Sequence, residues 1–241
     1  MEKIKFPTEI IDLPSKGLIY PEGHPLRKGT IEVKYMTAKE EDILTNQNYI
    51  ENGTVLDKLL ESLVIGDIEL NDMFPGDKNA LFIGARILGY GSEYGFTYNN
   101  KEYTIDLSTF ENKEFDSSLV NSKGHFSFTL PKSKTELQFK LLTDKDETKI
   151  EEEIKGLKKI NKNNSSEVTT RLKHQIISLE GNTDPKEIRN FVDNYLLAQD
   201  ARALRAFIKK ISPNVDMIYI TDSGEEVEVP IGLTFFWPDV Q

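Results

Sequence analysis

The sequence predicts an α+β fold: a helical part interrupted by a small antiparallel sheet, with a C-terminal β-hairpin. Three observations carry this. Apolar residues recur at helical spacing in two blocks, 36–92 and 144–212. Between them the pattern alternates with period two, as in His125-Phe126-Ser127-Phe128-Thr129-Leu130. Near the end, strand-like runs at 217–221 and 225–229 enclose Asp222-Ser223-Gly224, a turn sequence. These shifts divide the 241 residues into an extended N-terminal arm (1–35), an N-terminal helical block (36–92), a small antiparallel β region (93–143), a C-terminal helical block (144–212), and a C-terminal hairpin with an aromatic tail (213–241).

In the arm, Pro7, Pro14, Pro21 and Pro25 each restrict the preceding residue to extended backbone. Short apolar runs lie between them. The arm either lies along its own domain or reaches a neighbouring subunit, and Phe6, Ile10, Ile11, Leu13, Leu18 and Tyr20 are its candidate contact residues. In the first block, Thr37 and Glu40 form a capping box ahead of a helix over 38–49. Val55, Leu56, Leu59, Leu60 and Leu63 place a second helix at 55–65, and Leu81, Phe82, Ala85 and Leu88 a third at 78–88, stopped by Gly89-Tyr90-Gly91.

Strands follow at 93–98 and 102–107 around the polar turn Asn99-Asn100-Lys101, then at 125–130 and 136–142 around Pro131-Lys132-Ser133-Lys134. The late helices are predicted over 146–161, 166–179, a segment opened by Thr183-Asp184-Pro185 and running to about Ala198, and 201–211 capped by Asp200. The last of these shows Arg202, Arg205, Lys209 and Lys210 on one side and Leu204, Phe207, Ile208 and Ile211 on the other. Phe235, Phe236 and Trp237 close the chain. In a strand, neighbouring side chains face opposite ways, so this terminus reads either as a strand covered on both sides or as an anchor for another chain.

Composition narrows the function. Charged residues make up 29% and hydrophobic residues 38%, the balance expected of a folded, soluble protein. The net charge of −10 disfavours a dedicated nucleic-acid binder. There are no cysteines, which excludes disulfides and thiolate catalysis. No run approaches a membrane span and no signal peptide is read, so no membrane association is expected. His24, His125 and His174 lie far apart in different predicted elements, and Asp67, Glu69 and Asp72 lack the glycine and distal Glu of a calcium loop. No catalytic, cofactor-binding or metal-ligating set is predicted, and no cofactor.

Several stretches carry a family resemblance. LPSKGLIYP (13–21), then HPL (24–26) and GTIEVKYMTAKEEDIL (29–44), resemble the N-terminal signature of the baseplate hub subunit family of contractile-tailed, T-even-type bacteriophages, the gene product 26 family. GDKNALFIGARILGYGSEY (76–94) continues it, and the FFWPD ending (235–239) is similar to that of such phage proteins. The resemblance is weakest across 108–134. Some relatives carry a Cys-containing element after the GYGSEY region, and this chain has none.

The resemblance implies a non-enzymatic structural or assembly protein of the tail baseplate hub, acting through protein–protein contacts in the host cytoplasm during assembly and in the virion tail baseplate. Its partners would be other baseplate hub or tail-assembly proteins, and a homo-oligomer is allowed. A hub-assembly chaperone absent from the mature virion and a hub-associated peptidoglycan hydrolase are the alternatives. Arg202, Arg205, Phe235, Phe236 and Trp237 join the arm residues as the candidate partner interface.

Overall fold

The computed structural model describes residues 7–160 and 166–236, and the fold is α+β. Its strands fall into separate antiparallel sheets of two, two, three and two strands. A two-stranded ribbon is marginal alone, so each ribbon depends on what packs over it.

The arm is not a free extension. It opens with β1 (Thr8–Asp12), which pairs with β2 (Thr30–Lys34) so that Ile10 lies opposite Glu32. The loop between them folds back on itself. Arg27 Nη1 donates to the carbonyls of Leu18 and Tyr20 at 2.5 and 2.9 Å. Gly17 takes φ 74°, and a Cβ there would stand 2.4 Å from the Arg27 carbonyl oxygen, so only glycine fits. Leu13, Ile19, Tyr20 and Leu26 are buried, so over its described residues, 7–35, the arm is a hairpin that lies along its own chain.

The capping box forms as predicted: Thr37 N donates to Glu40 Oε2 at 2.8 Å. The helix predicted over 38–49 breaks, however, into α1 (Ala38–Leu44) and α2 (Gln47–Glu51). Asn46 between them caps α2 by accepting from Tyr49 N, a local bond that competes with a continuous helix. Helix α3 (Val55–Leu63) buries Val55, Leu59, Leu60 and Leu63. Helix α4 (Pro75–Tyr90) starts three residues earlier than predicted, with Pro75 at its first position. Gly76, Asp77, Ala80 to Ile83, Ala85 and Arg86 are all buried, which makes α4 the central helix of the fold.

Strands β3 (Glu93–Tyr98) and β4 (Lys101–Asp106) follow, joined through Asn99 and Asn100 at φ 50° and 60°. Strands β5 (Phe126–Thr129) and β6 (Glu136–Phe139) come next, then α5 (Asp144–Ile160). The helix predicted over 166–179 ends early. Helix α6 (Glu167–Gln175) gives way to β7 (Ile176–Leu179), which pairs with β6 to complete the three-stranded sheet. Tertiary pairing overrides local helical periodicity there, and the β-branched pair Ile176-Ile177 accommodates it.

Asp184 caps α7 (Pro185–Asn194) through Lys186 N, as predicted. Asp200 does not cap the next helix. Helix α8 (Ala198–Ile211) begins before it, and the buried Asp200 carboxylate accepts from Lys132 N and Ser133 N, holding the β5–β6 turn. Strands β8 (Ile218–Ile220) and β9 (Glu226–Glu228) form the last hairpin. The aromatic terminus is a 3-10 turn over Leu233–Phe236, not a strand. Buried side chains from the arm to Phe236 form one hydrophobic cluster.

Candidate partner interface

The stretches behind the family resemblance meet at α4. Asp77, in the first turn of α4, is fully buried and accepts from Ser15 N at 2.9 Å, Ser15 Oγ at 2.6 Å and Tyr20 Oη at 2.8 Å. Tyr20 Oη in turn accepts from Phe74 N at 3.3 Å. Burial pushes the Asp77 carboxyl above its ordinary range, against the three hydrogen bonds that favour its ionised form. Its place at a helix N-terminus also favours the negative charge. No solvent reaches this carboxylate; it fastens the LPSKGLIYP loop to α4.

At the other end of the helix, Arg86 is 6% exposed. Its Nε donates to the Phe235 carbonyl at 2.9 Å, Nη1 to Gly91 O at 2.8 Å and Nη2 to Glu93 O at 3.2 Å. Phe236 lies 6.0 Å from the Phe82 ring and Phe235 lies 4.8 Å from Tyr94.

The predicted interface residues therefore divide. Leu13, Tyr20, Phe235 and Phe236 are core residues, a correction to their reading as partner contacts. A strand would have turned one of the two phenylalanines outward, but a 3-10 turn lets both pack inward. Leu18 is partly buried against the core, and Ile11 packs on α4, where a Cβ at Gly84 would stand 2.3 Å from its Cδ1. Ile10 is exposed on β1. Phe6 and Trp237 lie outside the described residues. Arg202 and Arg205 are exposed on α8, as their helical spacing predicts.

Those two stand apart from the other arginines. The chain has six. Arg27 and Arg86 are bound to carbonyls, Arg171 is paired with Glu147, and Arg189 with Glu153 through two bonds of 2.8 and 3.1 Å. Among the described residues, Arg202 and Arg205 have no acidic partner; Arg205 touches only Ala201 O of its own helix. With exposed Lys209 they occupy one stripe at spacings of three and four residues. Tyr195 and Leu197, in the turn between α7 and α8, are 65% and 49% exposed.

A second surface was not predicted. On the β8–β9 ribbon, Tyr219 and Val227 face inward, with Tyr219 edge-on to Phe96 at 5.6 Å. The opposite face pairs Ile218 with Glu228 and Ile220 with Glu226, all exposed. The run Met217-Ile218-Tyr219-Ile220 is apolar at every position, so alternation could not reveal which face is outward.

A groove of about 550 Å³ separates the two surfaces. Ile208 and Lys209 of α8 line it, and so do Ile218, Glu226 and Glu228 of the β8–β9 ribbon. The three histidines stay apart: His24 stacks on Tyr20, His174 contacts Glu153, and His125 is partly buried, which lowers its pKa. No described helix is long and apolar enough to cross a membrane. No family model, curated protein or solved structure matches this chain.

Proposed function

We propose that this chain is a structural or assembly protein of the contractile phage tail baseplate hub, working through protein–protein contacts in the host cytoplasm. Two things support the reading. The stretches that resemble the hub family serve one framework, in which α4 fastens the N-terminal loop through Asp77 and the C-terminal turn through Arg86. The observation that carries the contact role is the pair Arg202 and Arg205. In a chain where the other four arginines are engaged internally, these two are presented outward, one turn apart, and the turn that leads into the same helix exposes Tyr195 and Leu197. Arginine and tyrosine are enriched among residues that dominate binding energy.

The test is capture from infected cells with the tagged chain, followed by mass spectrometry. Identified baseplate or tail-assembly proteins are expected with the wild type. They should be depleted when Arg202→Glu and Arg205→Glu are combined. Recovery of no tail protein by a folded chain overturns the hub reading. Mass spectrometry of purified particles then separates a subunit kept in the virion from an assembly factor released before maturation.

A further inference from the structure

We infer that the surface around the groove is self-complementary and joins two copies of this chain in a two-fold dimer. The cationic stripe of α8 and the acidic face of β8–β9 border one groove, since Lys209, at the end of the stripe, lines it together with Ile218, Glu226 and Glu228. From Lys209 the stripe runs back along α8 for about 10 Å to Arg202, at 1.5 Å per residue. The acidic face carries its own apolar centre, Ile218 and Ile220, which are 41% and 64% exposed. Among the described residues, none of Arg202, Arg205, Lys209, Glu226 or Glu228 has an ion-pair partner of opposite charge. Each face holds what the other lacks.

An isologous interface needs both halves of every contact on one continuous patch. This patch has them. A two-fold axis through the groove sets Arg202 and Arg205 of one copy against Glu226 and Glu228 of the second, and repeats the contact in reverse. The exposed isoleucines of both copies then lie nearest the axis and leave water, while the charges form the rim and set the register. Two copies at −10 repel one another at long range, so the local match has to overcome the overall field.

That opposition supplies the test. Sedimentation velocity of the purified full chain over a dilution series is expected to show a monomer–dimer equilibrium. The combined change Arg202→Glu/Arg205→Glu should weaken it more than about tenfold. So should Glu226→Lys/Glu228→Lys, although its two reversals bring the net charge from −10 to −6 and would strengthen association if only the overall field mattered. Mixing the two variants should restore a dimer, because each supplies the charges that the other now needs. Unchanged thermal melting of both variants keeps a folding defect apart from a lost interface.

A chain that is monomeric throughout the series overturns the inference. So does a dimer indifferent to both changes, or a mixture that stays dissociated. The dimer would occupy the stripe that the hub reading gives to hub proteins, so the two readings are alternatives for Arg202 and Arg205, and the purified chain measured alone separates them. A monomer whose stripe still captures an acidic hub protein would refute the dimer and leave the hub reading standing.

Discussion

Helices α4 and α8 carry the same kind of side chain to opposite ends. Arg86 on α4 is 6% exposed and gives its guanidinium to three backbone carbonyls, two just past the end of its own helix and one at the distant Phe235. Arg202 and Arg205 on α8 are exposed and reach nothing beyond their own helix. The difference lies in what covers each helix. Helix α4 is enclosed by the arm, the C-terminal turn and the 213–214 loop. Helix α8 is covered on one side only, where Phe207 stacks on Phe128 at 4.8 Å and meets Phe139 at 6.1 Å. Where a helix is enclosed, its polar groups become internal fasteners. Where it is covered on one side, those on the open side stay exposed, while Asp200 on the covered side still fastens a turn. Substitutions around α4 should therefore register as stability, and substitutions on the α8 stripe as binding.

The largest effect is expected at Phe236, which is fully buried against Phe82. Phe236→Ala should cost about 3–5 kcal/mol of unfolding free energy in a denaturant titration. A loss near zero would return Phe236 to the partner surface. Asp77→Ala comes next. It strands the Ser15 and Tyr20 donors inside the protein, at about 3 kcal/mol.

The Asp77 carboxyl also has a pH signature. Its folded pKa is raised by burial, so its contribution is fully present below the unfolded value and declines as pH rises through the folded value. Glu40 behaves oppositely. Burial alone would raise it, but bonds from Thr37 and Lys34 outweigh that and bring it to about 2, so its contribution is lost as pH falls from about 4.5 toward 2. Melting curves of wild type, Asp77→Asn and Glu40→Gln across acid pH should separate the two slopes.

A smaller effect is expected at the glycines of α4. A Cβ on Gly76 would stand 1.9 Å from the Pro213 carbonyl oxygen, whereas one on Gly84 meets only Ile11 Cδ1, a side-chain end that can turn away. Gly76→Ala should cost about 1–3 kcal/mol by overpacking, and Gly84→Ala clearly less, by thermal melting. The smallest effect is predicted for Arg202→Ala and Arg205→Ala, each within about 0.5 kcal/mol of wild type in the same denaturant titration. A large loss at either would show that α8 is as enclosed as α4.

Much of the secondary structure could be read in the sequence because its causes are local. The Thr37–Glu40 capping box, the Asp184-Pro185 start and the Asn99-Asn100 turn each depend on residues within a few positions of one another. Which side chains lie outward was harder to read for the opposite reason. Arg202 and Arg205 are exposed where a helical repeat marks an outward face, while Leu13, Tyr20, Phe235 and Phe236 are buried because burial is decided by what folds over them. Ile218 and Ile220 could not be assigned a face because their strand is apolar at every position, whereas Glu226 and Glu228 alternate with Val227 and lie outward as that pattern marks.

The sequence by itself determined the α+β class, the order of helices and hairpins, and the charge pattern of α8. These follow from backbone propensity, capping and periodicity, which act over one or two turns of chain. The tertiary structure alone decided that 176–179 is a strand, that Asp200 fastens a distant turn, and that the 13–20 loop and the 233–236 turn close on α4. Each of those rests on a partner many residues away: β6 for β7, Lys132 for Asp200, Asp77 for Ser15, Arg86 for Phe235. Buried polar groups must be paired, and which distant group supplies the pair is set only when the chain has folded.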